Sequence, residues 1–224
     1  MPNDVKETPL QKTLRLLEFD KSFGVNRLCG VDEAGRGPLV GAVSVCACVM
    51  PVGVPIVGID DSKKLGEKTR EALFEKITEV ADYCVVLIDS KTIDEINILQ
   101  ATKLGMKRAV EGLKNPPDMA VVDAVKGLDI AVPYASVIKA DEKSYATAAA
   151  SIIAKVTRDR IMRELDKLYP QYGFAKNKGY GTKAHIAALK EFGACPEHRR
   201  TFIKNFFPSG NITELSVTEI GDVR

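Results

Sequence analysis

Residues 27–50, RLCGVDEAGRGPLVGAVSVCACVM, carry the reading of the fold. Arg27 to Val31 reads as a short apolar strand, and Val40 to Met50 as a longer one with small side chains on both faces. Between them stand two adjacent carboxylates, Asp32 and Glu33, and a Gly35-Arg36-Gly37 turn closed by Pro38. Acids are poor strand residues. At a separation of about 4 Å and an effective dielectric near 20, two of them repel by about 4 kcal/mol. A hard divalent cation, which takes oxygen ligands, offsets that repulsion. The glycines open backbone conformations closed to other residues and let a ligand approach the main chain. Arg36 is a planar cation suited to phosphate. Most Asp-Glu pairs are solvated loop acids, so the rest of the chain has to decide.

Working outward, Leu10, Leu14, Leu17 and Phe19 fall at helical spacing and predict a helix over residues 8–22. Pro51 to Gly58 is a turn, and Glu67 to Ala81 an amphipathic helix behind Gly66, an acceptable though side-chain-free cap. Tyr83 to Ile88 reads as a buried strand. Lys91 to Asn97 reads as one or two helical turns, and Ile98 to Leu113 as a firmer helix ended by Asn115-Pro116-Pro117. Met119 to Val122 is a strand running straight into Asp123, and Val132 to Ile138 is another. A long helix is predicted to start at Asp141 and to run to about Tyr169, its stretch from Ala146 to Ala154 small enough to lie close on a sheet. Residues 182–192 form a last helix. Strands that alternate with helices predict an α/β domain with a mixed sheet and helices on both faces. Ligands of such sheets gather beyond strand ends. Asp32, Glu33 and Asp123 fall at strand ends and Asp141 at a helix start. Singly, Asp123 reads as a turn residue and Asp141 as an N-cap; jointly, the four acids suit a two-cation oxygen site.

The composition narrows the classes. With 224 residues, 45% hydrophobic and 28% charged, the chain suits one domain, or one domain and a small extension. A net charge of +2 leaves any nucleic-acid affinity to local patches. No apolar run reaches membrane-spanning length, and the N-terminus lacks a signal-peptide core, so a cytoplasmic protein is expected. The five cysteines, Cys29, Cys46, Cys48, Cys84 and Cys195, read as buried reduced thiols. From Gln171 to Lys204, seven Lys or Arg face two acids, with Tyr180 set among the cations in NKGYGT. That pattern suits an aromatic stacked on a sugar or base, and equally a solvated charged surface. His185 and His198 are too loosely spaced to suggest a zinc pair.

The motifs GVDEAGRGP (30–38), DSKKL (61–65), INILQAT (96–102), VVDA (121–124), KADEKS (139–144), AAASIIAKVTRD (148–159), NKGYGT (177–182) and HRRTF (198–202) together resemble bacterial ribonuclease HII, of the type 2 ribonuclease H family. The resemblance spans most of the chain. It implies a ribonuclease H-like fold, a five-stranded mixed sheet flanked by helices, with a helical C-terminal extension. It divides the chain into an N-terminal helical extension (1–26), a catalytic domain (27–170) and a basic C-terminal extension with a polar tail (171–224). With only about 26 residues before the first strand, the related ribonucleases HIII, which carry an extra N-terminal domain, are disfavoured. The resemblance implies an endoribonuclease that cuts the RNA strand of RNA–DNA hybrids and the 5′ side of single ribonucleotides in duplex DNA. Products would carry 3′-hydroxyl and 5′-phosphate ends.

Carried over by position, the resemblance makes Asp32, Glu33, Asp123 and Asp141 the ligands of two Mg²⁺ or Mn²⁺ ions. Gly35, Arg36 and Gly37 would grip the backbone around the ribonucleotide, Lys63 would sit near a phosphate, and Tyr180 would stack on the next deoxyribose. Asp159 reads as structural, paired with Arg158. Arg200, Ile203, Phe206 and Phe207 distantly echo a sliding-clamp-binding peptide without its leading glutamine; packing against the body is the plainer reading. Two rivals stay open on the residues alone: a hybrid-binding protein without catalysis, and a DNA nuclease or recombinase of the same superfamily.

Overall fold

The structure is a computed structural model that describes residues 7–53 and 55–207. Helix α1 spans Pro9–Lys21 and opens on a capping box, in which Thr8 and Gln11 satisfy each other's backbone amides. Strands β1 (Leu28–Ala34) and β2 (Val43–Val49) follow, then α2 (Glu67–Val80), β3 (Asp82–Ile88), α3 (Ser90–Glu111), β4 (Met119–Asp123) and β5 (Tyr134–Val137). The long α4 (Tyr145–Leu168) leads to three short helices, α5 (Phe174–Asn177), α6 (Lys183–Phe192) and α7 (Arg200–Ile203). The sheet order is β3-β2-β1-β4-β5. β2 lies antiparallel to β1 and β3, while β1, β4 and β5 are mutually parallel, so the expected five-stranded mixed sheet is present.

The period of two along the strands sorts side chains into two cores. On one face Cys29, Val31, Val43, Val45 and Ala47 pack with Met106, Ala109 and Val110 of α3. Cys46 and Cys48 face the other way, onto Leu16, Ile77, Ala149, Ile152 and Ile153 of α1, α2 and α4. Gly30 makes the second core possible. A β-carbon there would stand 2.1 Å from backbone atoms of Ala146 and Thr147, so α4 touches the centre of the sheet main chain to main chain. All five cysteines are free thiols, as expected, four of them buried. Among the described residues no helix is long and apolar enough to cross a membrane.

Three elements depart from expectation. β1 runs three residues past Val31, because its pairing with β2 continues through Asp32, Glu33 and Ala34 after its pairing with β4 has ended at Val31 and Val122. The acids therefore sit inside β1 rather than beyond it. The two predicted helical pieces 91–97 and 98–113 join in α3, broken at Asn97, whose φ of 65° and ψ of 162° are non-helical. The Asn97 carboxamide accepts from the Leu99 and Gln100 amides and so caps the second piece. Finally, α4 does not begin at Asp141. Ser144 caps it, and Asp141 lies upstream in a 3₁₀ turn, Ala140–Glu142, entered through Lys139 in the left-handed region.

Candidate active site

The parallel register of β1 and β4 builds the acid cluster. Val31 pairs with Val122, so Asp32 and Asp123 follow as the next residues on neighbouring strands, whose spacing is about 4.8 Å. Asp123 accepts a hydrogen bond from the Ala140 amide at 2.8 Å, which draws the 3₁₀ turn and its Asp141 to the same end of the sheet. Asp32 and Asp141 are buried; Glu33 is half-buried. The four acids named from sequence thus converge. A fifth, Asp61, stands close enough to act on Asp141.

The electrostatics record that convergence. Burial pushes the Asp32 carboxyl well above the usual range, and repulsion from Glu33, Asp123 and Asp141 pushes the same way. Burial also raises Glu33, against the pull of Arg36, whose guanidinium lies 3.4 Å from Glu33 Oε1. Asp141 is raised by burial and by Asp61, against the pull of Lys63. Burial opposes the charge on Lys63, but Asp141, with its oxygen 3.2 Å from Nζ, outweighs it and raises the ammonium pKa. Lys63 thus leans into the acids at their rim.

The donor set fits hard divalent cations. Every candidate ligand is a carboxylate, and Glu33 Oε2 is buried with no hydrogen-bond partner among the described residues. Among the described residues no three acids, histidines or cysteines form a closed metal cage. The acids are instead splayed onto local partners: Asp32 Oδ1 accepts from the Glu33 amide, Asp123 from Ala140, Asp141 from Lys63. Asp32, Glu33, Asp123 and Asp141 could hold cations by exchanging those partners for the ions.

The cleft over the acids is lined by Gly35, Arg36, Gly37, Lys63 and Tyr180, which gathers every sequence-predicted substrate residue beside the candidate ligands. Gly35 has φ of +101°, and a β-carbon on it would collide with the Arg158 side chain at 2.1 Å, so only glycine fits. The Tyr180 ring, 48% exposed, stands beside Gly37.

Sequence reasoning missed three contributors. Lys155 lines the cleft and donates to Asp159 at 2.7 Å. Its signal was the Lys-Asp pair four residues apart on one helix face. Arg158 and Arg199 are buried and bond only to backbone carbonyls. The expected Arg158–Asp159 pair is absent: consecutive helix residues point about 100° apart. Asp159 takes Lys155 and Arg70 instead.

The histidines also meet, though not as metal ligands. His185 Nε2 and His198 Nε2 lie 3.1 Å apart, walled by Tyr172 and Phe174. The Tyr180 carbonyl can only accept, so His185 Nδ1 carries its proton. The Cys195 amide donates to His198 Nδ1. The proton between the rings therefore sits on His198 Nε2, and both imidazoles are neutral. Burial lowers both pKa values, that of His198 to about 3 with help from His185.

A mixed sheet with acids at the shared end of β1 and β4, under a cleft of cations and an exposed ring, defines a metal-dependent nuclease of ribonuclease H-like fold. The comparisons narrow this further. The Ribonuclease HII family profile matches residues 29–208, and the chain belongs to that family. It is 51% identical over 204 residues to a Ribonuclease HII of Acetivibrio thermocellus, covering 89% of this chain and 80% of that one. The crystal structure of a ribonuclease H2 from Pyrococcus horikoshii is similar at 30% identity and a TM-score of 0.68, covering 78% of this chain and 93% of that one. A PCNA:RNase HII complex from Archaeoglobus fulgidus contains a chain similar at 26% identity and a TM-score of 0.62, covering 83% and 92%. The enzyme is an endoribonuclease that uses Mg²⁺ or Mn²⁺ and cleaves RNA in RNA–DNA hybrids and at embedded ribonucleotides.

Proposed function

We propose that Asp32, Glu33, Asp123 and Asp141 are the metal ligands, and that the cut falls on the 5′ side of a ribonucleotide, leaving 3′-hydroxyl and 5′-phosphate ends. The observation that carries this reading is the meeting of Asp32, Glu33 and Asp123 with Gly35, Arg36, Gly37 and Tyr180 at one cleft, with Asp141 bonded to the cleft's Lys63 beside them. When bound, two divalent cations supply an activated water nucleophile and stabilise charge on the leaving oxygen. Burial and neighbouring like charge raise the proton affinity of Asp32, Glu33 and Asp141, and the positive charge of bound cations would offset both. Lys63, released from Asp141, turns to a substrate phosphate. The turn at Gly35 to Gly37 presents main-chain groups to the 2′-hydroxyl, the group that marks a ribonucleotide among deoxyribonucleotides. The Tyr180 ring lies flat on the following sugar when that sugar lacks a 2′-hydroxyl. Residues 27–170 then supply the chemistry and the basic segment after them the strand grip, with ribonucleotide removal during replication and repair in the cytoplasm as the role.

The test is a duplex with one ribonucleotide, incubated with Mg²⁺, Mn²⁺ or EDTA, with the ends mapped. A cut 5′ of the ribonucleotide, extendable by a polymerase without end repair and absent in EDTA, is expected. Cleavage in EDTA, or equal cleavage of all-DNA duplex, overturns the reading.

A sliding-clamp contact through residues 200–207 is a second reading, favoured by the archaeal relative solved with PCNA. Phe206 and Phe207 pack against the cluster of Leu39, Leu189, Ala194 and Ile203, so a clamp would have to undock them. The acidic tail beyond Phe207 lies outside the described residues.

A further inference from the structure

We propose that Arg199 is a positioning residue for ribose recognition, acting with Arg158 to set the peptide planes of the turn at Gly35 to Gly37. The proposal rests on the reading of that turn as the ribose contact. Buried guanidinium groups are ordinarily matched with carboxylates. Arg199 is fully buried, and all its hydrogen bonds in the structure go to carbonyl oxygens near the turn. Nη2 donates to Gly35 and Gly41, each at 2.7 Å; Nη1 donates to Arg36 at 3.0 Å and Pro38 at 2.8 Å; Nε donates to Gly41 at 2.9 Å. Five bonds reach four carbonyls within seven residues.

Peptide planarity gives these bonds a consequence on the opposite side. In a trans peptide the N–H of a residue points opposite to the C=O before it. With the Gly35 and Arg36 carbonyls turned onto Arg199, the amides of Arg36 and Gly37 are turned away from it. Neither amide donates a hydrogen bond among the described residues, and both residues line the cleft. Arg199 therefore aims two donors where a ribose hydroxyl would lie. Arg158 braces the same unit from α4: it bonds the Val40 and Ala42 carbonyls at 3.1 Å and the Lys178 carbonyl at 2.9 Å, two residues before Tyr180, and its side chain fills the space over Gly35. Backbone bonds from Leu39 to Gly179 and from Arg199 to Leu39 complete the clasp. A lysine cannot replace this: it offers three donors from one point, where the turn needs a planar fork.

The experiment measures binding in an Asp123→Asn background with Mg²⁺ present, comparing a duplex that holds one ribonucleotide with the same duplex in all-DNA form. The ratio of the two Kd values reads ribose discrimination alone. Arg199→Lys is expected to lower that ratio at least fivefold while the all-DNA Kd moves less than twofold. An unchanged ratio, or an equal loss on both duplexes, overturns the proposal. Asp94→Ala, at a half-buried site on α3, removes the carboxylate that seats the Arg200 and Thr201 amides next to Arg199. It carries the test should Arg199→Lys not fold: a twofold to threefold drop in the ratio supports the proposal, and no drop sinks it. Gly37→Ala separates the two levels, since its added methyl meets only Tyr180 at an ordinary 3.6 Å. If Gly37→Ala lowers the ratio and Arg199→Lys does not, positioning by Arg199 is wrong. If neither lowers it, the turn is not the ribose contact.

Discussion

The acid cluster lines the cleft, the C-terminal clasp lies buried behind the turn at Gly35 to Gly37, and the two are built on opposite electrostatic plans. Around Asp32, like charges are gathered in a buried place and raise one another's proton affinity. Around Arg199 and the His185–His198 pair, each buried polar group meets a neutral partner of the right kind: guanidinium on carbonyls, neutral imidazole on neutral imidazole. On the proposed reading, the first region is completed by cations from solution. The second is complete in the protein alone. A ligand site and a scaffold can thus be told apart by asking whether buried charges repel one another or meet partners of opposite polarity.

The largest expected effect strikes the incomplete region. Asp123→Asn or Asp141→Asn should reduce cleavage by about a thousandfold or more, on the scale of losing an electrostatic stabiliser of a transition state. The Tm of the metal-free protein should stay level or rise, because a repelling charge has gone. A mutant that keeps most of its activity, or that melts well below the parent, would move that residue from the ligand set to the scaffold.

Metal itself sharpens the contrast. At a hundred times its Kd, Mn²⁺ should stabilise the fold by about 2.7 kcal/mol, seen as a higher Tm that EDTA reverses. Hydrogen exchange should slow at the ends of β1 and β4 and around Asp141, and stay unchanged around His198. Equal protection of both regions would contradict the division.

The two regions should also respond to pH with opposite sign. Asp32, Glu33 and Asp141 bind protons more tightly folded than unfolded, so without metal they add stability as pH falls into their raised range and lose it as pH rises through it. His198, lowered from 6.5 to about 3, binds protons less tightly when folded. Its contribution is present above pH 6.5 and is lost as pH falls toward 3. Tm against pH in EDTA should therefore lose its alkaline decline in Asp32→Asn and part of its acid decline in His198→Gln. The same slope in parent and His198→Gln would show that the histidine pair does not stay neutral.

Smaller effects probe the rim. Tyr180→Ala should lose roughly fivefold to a hundredfold of the activity on a single embedded ribonucleotide, the scale of one stacking contact, and Tyr180→Phe no more than about twofold to threefold. Equal losses would mean that the hydroxyl bonds to substrate. Smallest of all, Lys176→Ala with Lys178→Ala should reduce the slope of log affinity against log salt by about 1 to 2. No change in slope would place the phosphate grip elsewhere.

Much of this was legible in the residues themselves. Strand and helix alternation declared an α/β domain with a mixed sheet, the motifs' resemblance supplied the ribonuclease H-like fold, and the four acids stood out by falling at element ends, with their reading as ligands coming from that resemblance. What stayed hidden was pairing at a distance. That β1 extends through Asp32 and Glu33 depends on β2, and that Asp141 precedes α4 depends on Ser144 taking the cap. Arg158 and Arg199 gave no local sign, since their partners are carbonyls that every residue carries. His185 and His198 looked unrelated at 13 positions apart, and only the packing of α6 against the segment from Cys195 joins them.

The bonds from Arg199 also bear on how the enzyme is made. Arg199 and Gly35 are separated by 164 residues. At about 5–20 residues per second, a ribosome needs roughly 8–33 s after finishing Gly35 to reach the residue that orders its turn. The sheet and its acids can fold during that interval, from contacts already synthesised. The turn at Gly35 to Gly37 cannot gain its bonds to Arg199 until that residue has emerged. On the proposed reading, a nascent chain would thus hold its acids before it can select a ribonucleotide.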